Sequence, residues 1–543
     1  MLKNTRRERL DGKLLLGYRI SEVELHIPAL QESSDSHKVF ESSADDAPFV
    51  ESHGVEIKDL SPPCEGRRRA VARRLPFCFD QLTPVIPDQT DVRSQIEGLR
   101  KRIAGMVTVD KEPSSGVRVS LDAVAQFSNH VHDMLVTYWK PLAFVPELGA
   151  WLASTSYNML RKMDLQKKWE MFQGVAPAWI ARRIKSFIKA EWYEVFKYAR
   201  WINSRDDVFK VFAGPASKAM EDEIFSNPHF IKHVPVNERP AKIMALNRAG
   251  CKIISTDFES FEARFMPETM SACECQMFNY LLQKYPDLAQ TLSSVAVSTN
   301  RGKTHQGVNF ECEGRRMSGE MWTSLANGFT NLMLITFYFK QKNITMWDGF
   351  VEGDDGIFCV PNDVDVSDCC QFMSKLGFSL KLQVHDTPDT ASFCGIVVAN
   401  GQMVKDPIMT CSGLGWTLTQ VSCNDRTALE LARAKALSLV YELPHCPILN
   451  TIARWIVDHT QGVKAKFIYD GYHTPVPRDV QLPAPETGLE TRLLFQSLYH
   501  FSVEQQIAIE DGVRAASTWD EVVDVCNFQP TSCMQVMSQL YRV

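Results

Sequence analysis

The stretch VEGDDGIFCV, Val351–Val360, sets two aspartates, Asp354 and Asp355, between runs of β-branched and aromatic residues. The runs read as two short strands, and the glycine-flanked pair between them as the turn of a hairpin. Adjacent carboxylates repel, and a strand end gives them little shelter. A tight turn can use Asp simply for its bonds to backbone. The alternative is that further acids and a cation gather at the same place.

Another strand end carries such an acid. CKIISTDFESF, 251–261, begins β-branched and apolar and then reaches Asp257. If this strand neighbours the hairpin, three carboxylates converge at one sheet end. Divalent cations between them would turn repulsion into attraction, and two hard cations about 3.5–4 Å apart can clamp the attacking and leaving oxygens of a phosphoryl transfer. All-oxygen ligation favours Mg²⁺. Upstream, RMSGEMWTSLANGFTN, 316–331, offers Ser318-Gly319 as a pliable turn. Thr323 and Asn327 are four apart, so on a helix they share a face. A hydroxyl and an amide there can read a ribose 2′-OH, which is both donor and acceptor. Taken singly, the segment is equally a helix start capped by Ser318.

The surrounding pattern predicts the architecture. ETMSACECQMFNYLLQKY, 268–285, has apolar residues at helical spacing, and 317–339 reads as a Gly-containing loop followed by a long apolar helix. VSDCCQFMSKLGF, 366–378, is an amphipathic helix, and SFCGIVV, 392–398, a strand followed by the turn signal Asn400-Gly401. Strand, helix, helix, hairpin, helix, hairpin predicts an α+β fold: antiparallel strands with helices on one side. NDRTALELARAKALSLVYEL, 424–443, reads as a helix with Asn424 or Asp425 as cap and Pro444 as stop. A second helix starts near Pro447, and a Pro-rich connector precedes another helical stretch at 490–510.

A chain of 543 residues exceeds one compact core, so several packed subdomains are expected. Its 45% hydrophobic and 23% charged residues are ordinary for a soluble globular protein. The longest apolar candidate, SLANGFTNLMLITFYF, is interrupted by Asn327, Thr330 and Asn331, which argues against a membrane span. Fifteen cysteines without a secretory signal read as reduced intracellular thiols, and none has zinc spacing. Arginines and leucines in 3–18 hint at a transit peptide, against which Glu8 and Asp11 weigh. The net charge of −6 hides an asymmetry: residues 21–60 hold ten acids and two bases, the composition of a mobile extension. GRRRAVARR follows at 66–74, and residues 161–210 hold twelve Lys/Arg against six Asp/Glu. Aromatics interleave with these bases in SFIKAEWYEVFKYARW, 186–201, which suits a surface that tracks phosphates and packs on bases.

Together these residues resemble the RNA-dependent RNA polymerases of positive-strand RNA viruses, closest in flavour to the tombusvirus-like and nodavirus-like enzymes. TDFESFE (256–262), SGEMWTSLANGFTN (318–331) and EGDDG (352–356) resemble the first three palm motifs in order. KLGFSLKLQ (375–383) resembles the fourth and SFCGIVV the fifth. SFIKAEWYEVFKYARWINSR (186–205) and FIKHVPVNERPAKI (230–243) resemble fingers motifs, and the whole covers about 180–420.

The resemblance implies a right-hand polymerase. An N-terminal extension, partly disordered, would occupy 1–74 and fingers 75–250. An antiparallel-sheet palm would span 251–400, with a fingers insertion at about 270–315, and a mainly helical thumb 401–543. It implies Asp257 and Asp354 as metal-binding aspartates with Asp355 flanking, Mg²⁺ as cofactor, and Mn²⁺ as a substitute. Glu262 matches a ribose-facing acid, although many relatives carry Asp there. Thr323 and Asn327 match the sugar-selecting pair, and Ser318 with Gly319 the flexible loop. Lys189, Lys197 and Arg200 match the triphosphate-contacting bases. Lys381 matches the general acid for pyrophosphate, with His385 as runner-up. Template and product RNA, nucleoside triphosphates and other viral replication proteins are the implied partners. The implied location is membrane-associated replication complexes in the host cytoplasm. Two other classes compete. A reverse transcriptase would place an apolar or aromatic residue against the 2′-OH, where Thr323 and Asn327 stand. A non-catalytic RNA-binding scaffold leaves three acids at strand ends unexplained.

Overall fold

The computed structural model describes residues 72–82, 118–189, 200–304, 309–399, 401–468 and 486–530, with short pieces at 38–41, 56–58, 98–99, 102–103, 108–109, 191 and 193. Most of the acidic extension and of the 66–74 arginine run lies outside the described residues.

Strand Cys251–Phe258 is the middle of a five-stranded antiparallel sheet. Asp355–Pro361 pairs on one side of it and Leu380–His385 on the other. Asp348–Glu352 extends the first side as the expected hairpin, and Lys38–Glu41 the second. Successive residues of these strands enter different cores. Ile254, Phe358, Val360 and Leu382 belong to one apolar cluster, and Ile253, Ile357 and Cys359 to another. Each such side chain contributes roughly 1.5–3 kcal/mol when fully buried. The sheet is therefore covered on both faces, not on one as expected. The pair Ile253-Ile254 and the run Ile357–Val360 lack polar alternation, so each face needs a cover.

One cover is helical and centres on Thr323–Gln341, whose residues from Leu325 to Phe339 are all buried. Leu121–Tyr138 and Asp207–Ile224 pack in the same cluster. The helix expected over 268–285 is two helices, Pro267–Ala272 and Glu274–Leu281, which break at Cys273 next to the fully buried Glu274.

The other cover includes helix Arg239–Met244, the hairpin Val397–Ala399 and Gln402–Val404, and the C-terminal helices Asp425–Glu442, Leu449–His459, Leu489–Tyr499, Val503–Ala515 and Trp519–Cys526. Asn424 caps the first of these, its side chain accepting from Thr427 N at 2.8 Å. The stretch at 490–510 divides at His500, in the left-handed region at φ 62°, and a Ser502–Gln505 capping box opens the second helix.

A second sheet runs in the order Glu56–Lys58, Asn309–Cys312, Asn300–Lys303, Arg183–Ile188, Trp201–Arg205. In Arg183–Ile188 burial alternates: Arg183, Lys185 and Phe187 are exposed, while Ile184, Ser186 and Ile188 are buried. Part of the basic window is thus the solvent face of a strand. All the described cysteines are free thiols. No described helix is long and apolar enough to cross a membrane.

Candidate active site

Register brings the sequence-predicted acids together. Asp355 stands directly across from Asp257, and Asp257 directly across from Lys381 on its other side. Opposed residues of antiparallel strands project to the same face, so these three share a row at the sheet's end. Asp354 occupies the adjoining turn. Gly353 has φ +60° and Asp354 does not, the pattern of a type II′ hairpin turn. A Cβ on Gly353 would meet open space, so the turn needs glycine for its backbone angle alone. Gly356 is needed for room: a Cβ there would lie 2.5 Å from Thr256 Oγ1.

The acids burden one another. Burial, then the Glu262 and Asp355 carboxylates, push the Asp354 carboxyl up to about 7, and Asp257 adds to the rise. Burial and then Asp257 push Asp355 up to about 6, partly offset by a hydrogen bond from Cys394. Among the described residues, no group of three or more His, Cys, Asp or Glu side chains is assembled to hold a metal ion. The acids share a sheet end without closing into a ligand set. Their chemistry nonetheless fits a hard divalent cation. The donors are all oxygens, and two carboxyls are driven toward protonation by burial and by neighbouring carboxylates.

Glu262 sits on a short 3₁₀ turn, Phe261–Arg264. Arg102 Nη1 donates to its Oε2 at 2.7 Å, and Asn327 Nδ2 to its Oε1 at 3.4 Å. Thr323 and Asn327 do lie one turn apart on one helix, but their side chains are engaged differently. The Thr323 hydroxyl donates to Met317 O at 2.7 Å and accepts from Glu320 N at 2.9 Å, so it pins the preceding loop. That loop is anchored to the neighbouring sheet. Ser318 Oγ donates to Trp201 O at 2.7 Å, Gly319 bridges to Ser204, and a Cβ on Gly319 would lie 3.0 Å from Asn203 O. Trp322, not Ser318, occupies the helix N-cap.

Lys189 and Arg200 meet at Glu191: Lys189 Nζ lies 2.9 Å from Glu191 Oε2, and Arg200 Nη2 donates to the same oxygen at 2.6 Å. Glu191 holds the Arg200 guanidinium charged, and the Asp354 carboxylate is near enough to act in the same direction. Lys197 lies outside the described residues. Lys381 is exposed in the carboxylate row. His385 is buried farther along the same strand, with its ring nitrogens bonded to Ser255 at 3.0 Å and Thr390 at 3.1 Å.

Four residues near the site were not singled out from sequence. Asn331 Nδ2 donates to the carbonyls of Gly353 at 3.1 Å and Asp355 at 2.9 Å. Its spacing, four after Asn327, was the available signal. Arg316 donates to Asn327, Arg102 binds Glu262, and Cys394 bonds Asp355. Arg102 lies 160 residues before its partner, and no local pattern marks such a pairing.

Residues 252–406 match the model of a family described as viral RNA dependent RNA polymerase. That segment contains the central sheet's inner strands, the long buried helix and the Asp354–Asp355 hairpin. Over that segment the chain is similar to the viral RNA-dependent RNA polymerases. That family implies RNA-directed RNA polymerase activity, EC 2.7.7.48, on an RNA template with nucleoside triphosphates, and generally uses divalent metals. No curated protein matched the chain.

Proposed function

We propose that the protein extends RNA by two-metal nucleotidyl transfer in a right-hand polymerase, as the catalytic subunit of a viral replicase. The observation that carries the residue assignment is the row Asp355–Asp257–Lys381 with Asp354 at its side. The central sheet with the long buried helix is the palm, and the second sheet belongs to the fingers. Four of its five strands come from 183–205 and 300–312, the two separate pieces assigned to the fingers, and the fifth, Glu56–Lys58, from the N-terminal extension. The C-terminal helices are the thumb.

Asp257, Asp354 and Asp355 would hold Mg²⁺ or Mn²⁺. When bound, such cations favour the ionised 3′-OH and offset charge on the phosphates. The 3′-oxygen attacks the α-phosphorus, the bond to the bridging oxygen breaks, and pyrophosphate leaves. Lys189 and Arg200 bind the triphosphate, with Lys197 assigned there from sequence. Lys381 gives its proton to the leaving pyrophosphate; His385, committed to Ser255 and Thr390, is the weaker choice. Glu262 and Asn327 face the ribose, while Thr323, Ser318 and Gly319 shape the loop before them. Template pairing chooses the base, so the protein reads only sugar, shape and backbone. Other viral replication proteins and a membrane-associated replication complex in the host cytoplasm complete the setting.

The test is RNA synthesis by the purified protein on a defined RNA template, with and without primer, in Mg²⁺. Synthesis that Asp354→Ala abolishes supports the assignment. RNA binding without synthesis in any divalent cation would favour a scaffold, and equal use of deoxynucleotides a reverse transcriptase.

A further inference from the structure

Arg316 lies just before the Ser318-Gly319 loop and is fully buried. Its guanidinium forms an ion pair with Glu274, itself fully buried, and lies 3.9 Å over the Phe265 ring. Its Nη1 donates to Asn327 Oδ1 at 2.8 Å. On the other side, Asn327 Nδ2 points to Glu262 Oε1 at 3.4 Å, and Arg102 holds the far oxygen of that carboxylate. A chain of five side chains thus runs Glu274, Arg316, Asn327, Glu262, Arg102.

The chemistry of the two neighbours determines how the amide stands. A guanidinium has only donors, so the atom facing Arg316 must be the amide oxygen. An ionised carboxylate has only acceptors, so the atom facing Glu262 must be the amide nitrogen. Both neighbours select the same orientation, and the reverse one would set donor against donor and acceptor against acceptor. Glu274 in turn holds Arg316 in place from a helix on the far side.

We propose that Arg316 is a positioning residue for sugar selection: by occupying Asn327 Oδ1 it makes the amide present only its NH₂ beside Glu262, so that a ribose 2′-OH accepts from Asn327 and donates to Glu262. This rests on the assignment of Asn327 and Glu262 to the ribose site. Without Arg316 the amide is free to turn its oxygen outward, and the ordered donor–acceptor pair that distinguishes a ribose from a deoxyribose is lost.

The experiment measures kcat and KM for a ribonucleotide and its 2′-deoxy counterpart with the full chain on a primed RNA template. The central variant is Arg316→Met/Glu274→Met, which removes both buried charges together and leaves neither unpaired. The ratio of the two kcat/KM values is the readout, because a smaller folded fraction lowers both values alike. The double variant is expected to lower the ratio roughly tenfold, as loss of an ordered buried hydrogen bond does. Asn327→Ala should lower it similarly, and combining it with the double variant should add no further loss. A wild-type ratio in the folded double variant, with Asn327→Ala lowered, overturns the role of Arg316. A wild-type ratio in Asn327→Ala overturns the ribose assignment itself. If the double variant does not melt cooperatively, Arg316→Lys decides. One ammonium held by Glu274 cannot also replace the fork at Asn327, so the ratio should fall several-fold. An unchanged ratio there overturns the proposal.

Discussion

Asn331, fully buried on the long central helix, holds the backbone of Asp355: its Nδ2 donates to the Asp355 carbonyl at 2.9 Å and to the Gly353 carbonyl at 3.1 Å. One amide thereby ties a helix to both ends of the acidic turn. Asn331→Ala should cost ~1–3 kcal/mol of stability, the penalty of taking this donor from two half-buried carbonyls. It should also lower kcat more than it raises KM for nucleotides. Asn331→Asp should be worse on both counts, because a carboxylate cannot donate to those carbonyls. Melting curves beside steady-state kinetics check this, and full activity in Asn331→Asp would show that the turn holds itself.

Asp354 is raised toward neutrality by burial and its acidic neighbours, so above pH 7 its charge opposes folding in the absence of a cation. Asp354→Asn should therefore melt at a higher temperature than the parent at pH 8 in chelator. It should also synthesise RNA at least roughly 10²–10³-fold more slowly. Mg²⁺ should raise the parent's melting temperature and leave the variant's nearly unchanged, since a ligand stabilises only the state that binds it. Equal metal response in both would remove Asp354 from the cation site.

Arg200→Ala should raise the KM of all four nucleoside triphosphates by a similar factor, roughly tenfold for the loss of a charged hydrogen bond. The phosphates are common to all four. A residue that touched only template would weaken RNA affinity and flatten its salt dependence by about one ion. Arg182→Ala is expected to show that second pattern. Normal nucleotide kinetics with weak RNA binding in Arg200→Ala would move Arg200 to the template path.

Thr323→Val should act through the loop. Its hydroxyl bonds Met317 O and Glu320 N, so its loss frees the segment carrying Ser318 and Gly319. A rise in KM with an unchanged ribose-to-deoxyribose ratio is expected. A changed ratio would return Thr323 to the sugar pair expected from sequence.

His130 offers a pH test away from the acids. Burial, and secondarily Lys340, lower its pKa to about 4 in the folded chain, against an ordinary 6.5. Thr336 uses its proton on Leu332 O at 2.7 Å, so the neutral ring donates from Nε2 to Thr336 Oγ1 at 2.9 Å. Between pH 6.5 and 4 the unfolded chain binds a proton that the folded chain refuses, so stability falls on acidification and levels off near 4. The slope is at most about 1.4 kcal/mol per pH unit from this residue. His130→Gln should flatten the melting temperature against pH in that window, and an unaltered slope would assign the loss to other groups.

The Asp354–Asp355 hairpin, the Asp257 strand, the long apolar helix and the Asn424-capped helix were legible because each follows from local causes. Glycine and aspartate form turns, β-branched runs make strands, and side-chain oxygens cap helices. Motif order added the family. The sequence by itself could not show that Asp257 falls in register with both Asp355 and Lys381, because a strand carries no mark of its neighbours' alignment. Nor could it separate Thr323 from Asn327, which have the same helical spacing in either role. Only the packed loop at Met317–Glu320, the buried Arg316 and the half-buried Glu262 assign one to the loop and the other to the acidic cluster. Arg102, Glu274 and Arg316 were unreadable for the same physical reason. A buried charge is placed by its partner, and these partners come together only when distant segments fold against one another.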